Sequence, residues 1–206
     1  GRATAMLLSQ LGARVVLVAR NPDRLAETLG LLEGAGHRIE PFDLRRTDDL
    51  PGWLKKLAGE FGPLRGLVHC AGIQLIRPLR LVTSAEVEEL LKINLTAAVM
   101  LAKGFRQREV HEPGGSIVFV SSIMGSVGAK GRSAYCASKG ALHSLAKSLA
   151  LECVRDGIRV NCVAPGFVKT DMLQHAEATL AADRLSRLQD QHPLGFGEPR
   201  DVAHLA

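Results

Sequence analysis

Short apolar runs, several rich in β-branched residues, recur along this chain of 206 residues with helical segments between them. Residues 14–20 form one such run, expected to be a buried parallel strand. Asn21-Pro22 supplies a cap and a first-turn proline for a helix reaching about Leu32, which Gly34 to Gly36 breaks. A short strand is expected over 37–42, a helix over 50–61 and an apolar strand over 66–69. The capping box Thr83…Glu86 opens a long helix running through Asn94 to about Arg106. A Pro113-Gly114-Gly115 turn, a strand over 116–121, a helix over 133–156 and a strand over 158–164 follow. Such alternation is the signature of an α/β, doubly wound parallel sheet. Residues 172–191, more polar and placed after a Pro-Gly turn, suit a helical flap over a cleft.

With 46% apolar residues the chain can bury one substantial core, so a single domain over 1–206 is expected. No apolar run approaches the ~20 residues of a membrane span, and no secretory leader is visible. Four cysteines without CxxC spacing read as reduced thiols, and the expected location is cytoplasmic. The seven histidines are scattered, so no metal site is expected. A formal charge of +5 suggests an anionic partner, yet 4% aromatics and no basic stripe argue against nucleic acid. The phosphates of a nucleotide cofactor would account for part of the excess.

Chemistry concentrates in one set of spacings. Tyr135 and Lys139 stand four apart on a predicted helix and therefore share a face. Ser122 lies at a strand end thirteen residues earlier, and Asn94 lies twenty-eight before it. A phenol beside a fixed ammonium is a tuned proton donor, and a serine hydroxyl can share its substrate oxygen. Singly, Tyr135 could merely pack, Ser122 cap a strand and Asn94 mark a helix irregularity. Jointly, four agreeing spacings point to catalysis.

With these residues, and with Pro165-Gly166 behind them, the chain resembles the classical short-chain dehydrogenase/reductase family, and within it the 3-oxoacyl-[acyl-carrier-protein] reductases. The resemblance implies a Rossmann-like sheet and a catalytic tetrad of Asn94, Ser122, Tyr135 and Lys139. It makes Tyr135 the general acid in reduction and Lys139 the charge that lowers the phenol's pKa and binds the ribose. Ser122 positions the substrate oxygen, and Asn94 holds a water linking Lys139 to solvent. The family's pyrophosphate-binding glycine turn is represented only by Gly1, and its Asn-Asn-Ala-Gly turn appears as His69-Cys70-Ala71-Gly72. The expected sheet accordingly lacks a first and a last strand, with a central gap.

The expected cofactor is NADP(H). At the end of the second strand of such sheets an acid selects NAD, whereas Ala19-Arg20 offers no carboxylate and a cation for a 2′-phosphate. Arg20 could also be an ordinary surface arginine. Asp43 and Leu44 match the family's adenine-contacting pair, although Asp43 could simply start a turn. His69, Ala71 and Gly72 allow close backbone approach of the cofactor, or form a plain strand-end turn. Pro165, Gly166, Val168 and Thr170 match the segment that meets the nicotinamide and phosphates, while Thr170-Asp171 could be a helix cap.

The resemblance implies a 3-oxoacyl thioester as substrate, with acyl carrier protein as carrier, in fatty acid biosynthesis. Glu112 and Asp156 lie where a carrier-docking surface would be basic. A reductase of other small ketones or polyketide-like intermediates is the alternative, as is a non-catalytic paralogue. Gln74, Met124, Val127 and the 172–191 flap are expected to line the pocket, without an acid or base to fix an anionic substrate. A homotetramer is implied, with Leu142, Leu145, Leu149 and Leu151 at a helix interface or covering the sheet.

Overall fold

The computed structural model describes residues 1–170, 190 and 192–206. Its elements follow the expected alternation. Helix α1 (Arg2–Gln10) precedes strand β1 (Val16–Ala19), helix α2 (Pro22–Leu29) and strand β2 (Arg38–Pro41). Helix α3 (Leu50–Phe61), strand β3 (Leu64–His69) and helices α4 (Ser84–Leu91) and α5 (Ala97–Phe105) come next. Strand β4 (His111–Val120), the long helix α6 (Ser133–Cys153), strand β5 (Arg159–Val163) and helix α7 (Pro199–Ala203) complete the set.

Local signals explain most boundaries. The Asn21 side chain accepts from the Arg24 N–H at 3.0 Å, and Pro22 follows with its fixed φ, so α2 starts there. At α4 the Thr83 hydroxyl and Glu86 carboxylate satisfy each other's backbone donors, the reciprocal box read from the sequence. Between α4 and α5 the chain makes a π turn over Lys92–Thr96. The helix thus continues through Asn94, but with one widened turn, an irregularity often found at functional sites.

All described strand pairs are parallel. They form two groups, β1-β2 and β3-β4-β5, with no hydrogen bonds between β1 and β3. This matches the break expected at the centre of the sheet. Strand β4 begins earlier than expected, at His111. Leu64 pairs with His111 while Gly66 pairs with Ser116, so the residues between bulge out of the ladder. Pro113, which has no N–H to give, and Gly114 at φ 82° sit inside that bulge.

Three apolar clusters bind the layers. Ala5, Val15, Leu17 and Leu25 join α1 and α2 to β1. Leu50, Leu54 and Leu57 of α3 meet Ala97 and Leu101 of α5. Phe105, Ile117, Phe119, Leu142, Ala146 and Val160 fasten α5 and α6 to β4 and β5. Leu142 is fully buried, Leu145 and Leu149 pack against the same cluster, and only Leu151 is exposed. Three of those four leucines therefore cover the sheet.

This packing fixes the helix that carries Tyr135 and Lys139. Leu142→Ala should destabilise the fold by about 2–5 kcal/mol, the range for emptying a leucine site in a packed core. Urea denaturation measures it, and a loss under ~0.5 kcal/mol would contradict the described packing.

Candidate active site

The strand ends and the N-terminal half of α6 converge on one cleft of about 150 Å³. Its walls include Ser122 and Tyr135, together with Pro165, Gly166, Val168 and Thr170 from the segment after β5. Ser122 follows β4 in extended conformation and accepts from the Met124 N–H at 3.2 Å. It therefore caps a 3₁₀ turn and lines the same cleft as the phenol, near enough for its hydroxyl to oppose a rise in the phenol's pKa. Ile123 N–H donates to the Pro165 carbonyl at 2.8 Å, which ties the serine loop to the Pro-Gly loop.

Behind these groups lies a polar knot. Asn94 is completely buried. Its Oδ1 accepts from the Ile73 N–H at 2.8 Å, and its Nδ2 donates to the Ile73 carbonyl and the Ser138 hydroxyl, each at 3.0 Å. Lys139, also buried, donates from Nζ to the Val120 carbonyl at 2.9 Å. Ser121 Oγ donates to the Lys139 carbonyl at 2.7 Å, pinning the helix to the end of β4. A side chain at Gly72 would meet Lys139 Nζ at 3.2 Å and Asn94 Oδ1 at 3.3 Å, so glycine there keeps the amine and amide in place.

Burial shapes the electrostatics. It pushes the Tyr135 phenol above its ordinary value, opposed by the nearby Ser122 hydroxyl and the positive charge of Arg132. Lys139 Nζ lies 5.9 Å from the Tyr135 ring centroid and points to Val120. Burial is the largest influence on the phenol in this geometry. The lysine itself falls from 10.5 to about 8 through burial.

The remaining predicted positions spread around this centre. Arg20 is exposed just past β1 and makes no ion pair among the described residues. Asp43 Oδ1 accepts from the Arg45 N–H at 3.0 Å, and Arg45 continues to Glu89 at 2.6 Å, so Asp43 does start a turn. Leu44 packs on the α3–α5 cluster. His69 ends β3 with its ring in the core, edge-on to Phe119. Its Nε2 has no hydrogen-bond partner among the described residues. Ala71 is half-buried. Gln74 and Met124 line the cleft, whereas Val127 is exposed and does not. Glu112 pairs with Arg65 at 2.7 Å and Asp156 with Arg106 at 2.5 Å, so neither is an uncompensated charge. Residues 171–189 and 191, which include Asp171 and nearly all of the expected flap, lie outside the described residues.

Sequence reasoning missed Arg132. It lines the cleft beside Tyr135, and its Nη1 donates to Gln74 Oε1 at 3.4 Å. Its position, one helical turn before Tyr135, was the available signal.

Parallel strands joined through helices, with this tyrosine, lysine, serine and asparagine at their ends, agree with what similarity shows. The family model described as short chain dehydrogenase matches residues 1–181. The chain belongs to the short-chain dehydrogenase/reductase family. Among its relatives is the 3-oxoacyl-[acyl-carrier-protein] reductase of Mus musculus, 37% identical over 99% of this chain and 83% of the relative. Carbonyl reductase family member 4 of Xenopus laevis is 35% identical over 98% of this chain and 83% of its own. A cis-4-hydroxycyclohexanecarboxylate dehydrogenase of Sinomonas cyclohexanicum is also 35% identical, over 98% of this chain and 81% of its own. The crystal structure of a dehydrogenase/reductase from Sinorhizobium meliloti 1021 superposes with a TM-score of 0.87 at 30% identity, covering 100% of this chain and 81% of that one. This short-chain dehydrogenase/reductase is thus an oxidoreductase with a single doubly wound, Rossmann-like domain. No helix among the described residues is long and apolar enough to cross a membrane.

The buried His69 makes a test of the architecture that needs no substrate. Burial, aided by the charge of Lys139, lowers its pKa from 6.5 to about 4. A depressed pKa means the unfolded chain takes up the proton first as pH falls. Stability should therefore be intact above pH ~6.5 and decline by up to ~3 kcal/mol as pH drops through 4. Urea melts across that window should show a smaller decline for His69→Gln. An identical decline in both proteins would contradict the assignment.

Proposed function

We propose that this protein is an NADP(H)-dependent reductase of carbonyl compounds, with a 3-oxoacyl thioester as substrate. The observation that carries the reading is the single cleft that Ser122 and Tyr135 line together, in front of buried Lys139 and Asn94. A nicotinamide fits these surroundings. Gly72 leaves room where a Cβ would crowd Lys139, the Pro165–Thr170 segment forms a wall, and Arg20 offers an exposed cation for a 2′-phosphate. Arg20, Asp43, Leu44, Ala71, Gly72, Tyr135, Lys139, Pro165, Gly166, Val168 and Thr170 would hold the cofactor, with His69 contributing only through its backbone. Bound there, the cofactor supplies the hydride.

The protein's task is the proton. Ser122 holds the substrate oxygen against the phenol, and Tyr135 gives that oxygen its proton as hydride reaches the carbon. A phenol kept neutral by burial suits the donor role. Lys139, charged below pH ~8, stabilises the phenolate that remains. Asn94, bonded to Ile73 and Ser138, positions the lysine side of the site and lies where a water-borne proton relay would start.

The thioester rests on the name of the mouse relative, a 3-oxoacyl-[acyl-carrier-protein] reductase, which also motivates acyl carrier protein as carrier. Fatty acid biosynthesis is the proposed context and the cytoplasm, in keeping with free cysteines, the proposed location. We propose a homotetramer assembled through the outer faces of α5 and α6, where Val99 and Leu151 are exposed.

NADPH oxidation with acetoacetyl thioester tests the reading. Tyr135→Phe should lower kcat about 10²–10⁴-fold, the usual worth of a general acid. Full turnover in that variant would refute the mechanism. The wild-type rate of reduction should fall as pH rises beyond about 8, where Lys139 loses its charge.

A further inference from the structure

We propose that Arg132, braced by Gln74, anchors the substrate in this cleft and takes the carboxylate of a short oxo acid. Arg132 is the one charged side chain among the described residues that line the cleft. It stands three residues before Tyr135, and its charge is felt at the phenol. Its side chain is half-buried, so a ligand there would be partly shielded from water. The contact with Gln74 Oε1 is long, 3.4 Å, and occupies one of five guanidinium donors. Arg38, Arg45, Arg77 and Arg106 each pair with a carboxylate, whereas Arg132 pairs with none among the described residues. A guanidinium fork in this setting matches the two oxygens of a carboxylate better than the single carbonyl oxygen of an ester or thioester.

The rest of the lining agrees with a short chain. Ile123, Met124, Phe167 and Val168 give the cleft apolar walls, and no acidic residue among those lining it would repel an anion. With the reacting carbonyl held at Ser122 and Tyr135, Arg132 receives the acid group further along the same molecule. This rests on the carbonyl-reductase chemistry proposed above and departs from it in the substrate: the free oxo acid is preferred over its neutral derivatives, the thioester included.

The test is calorimetric titration of the full chain, in the presence of NADP⁺, with acetoacetate and with methyl acetoacetate. The acid should bind at least about tenfold more tightly than the ester, as a charge-assisted pair would give. Arg132→Gln should bring the two within about twofold, and Arg132→Lys should restore part of the preference. Equal binding of both ligands by the wild type, a preference that survives Arg132→Gln, or no binding of either ligand would each overturn the proposal. Tyr135→Phe separates the two readings. It should keep the binding preference while losing turnover, so preference without wild-type turnover faults the reductase reading, and turnover without preference faults the anchor.

Discussion

The carboxamide of Asn94 is the interaction on which the rest of the site depends. A buried amide left unpaired would cost a few kcal/mol, so its partners are held as firmly as it is. Here they belong to separate parts of the chain: Ile73 past the end of β3, and Ser138 on α6. The π turn delivers Asn94 between them. Because Ser138 precedes Lys139, the same bond fixes the lysine's helical turn, and Gly72 closes against both side chains without displacing them. Tyr135, one turn earlier on α6, inherits its position from this knot and from the Ser121 bond to the Lys139 carbonyl.

Low polarizability around the knot then sets the protonation states. Burial disfavours charge on any group, so it raises the tyrosine, lowers the lysine and keeps His69 neutral. The phenol stands ready to give a proton rather than having already lost it. Ser122 and Arg132 work against that rise, the one through its nearby hydroxyl and the other by charge. Arg132 thereby links the recognition of a substrate to the acidity of its proton donor.

Much of this was legible in the residues. The α2 cap, the Thr83–Glu86 box and the four-residue step from Tyr135 to Lys139 are local rules, and local rules survive folding. Asn94 carried two readings from sequence, helix irregularity and site residue, and the π turn accommodates both. Asp43 likewise begins a turn whatever it contacts. What escaped was set by tertiary neighbours. Strand β4 reaches back to His111 because β3 offers Leu64 a partner beyond the proline bulge, which no local propensity announces. The pull of burial on Tyr135 is a tertiary effect that the four-residue spacing to Lys139 does not reveal. An arginine opening a helix reads as surface until the chain folds it towards a tyrosine and a glutamine. The leucines of α6 face the sheet or solvent according to packing that periodicity leaves open.

Isotope transfer tests the central claim most directly. NADPH carrying deuterium at the transferable C4 position would be oxidised by the wild-type protein with a 3-oxoacyl substrate, and the product examined by mass spectrometry and NMR. The account predicts one deuterium bonded to the new carbinol carbon. Oxidised cofactor with no deuterium in the product would contradict it.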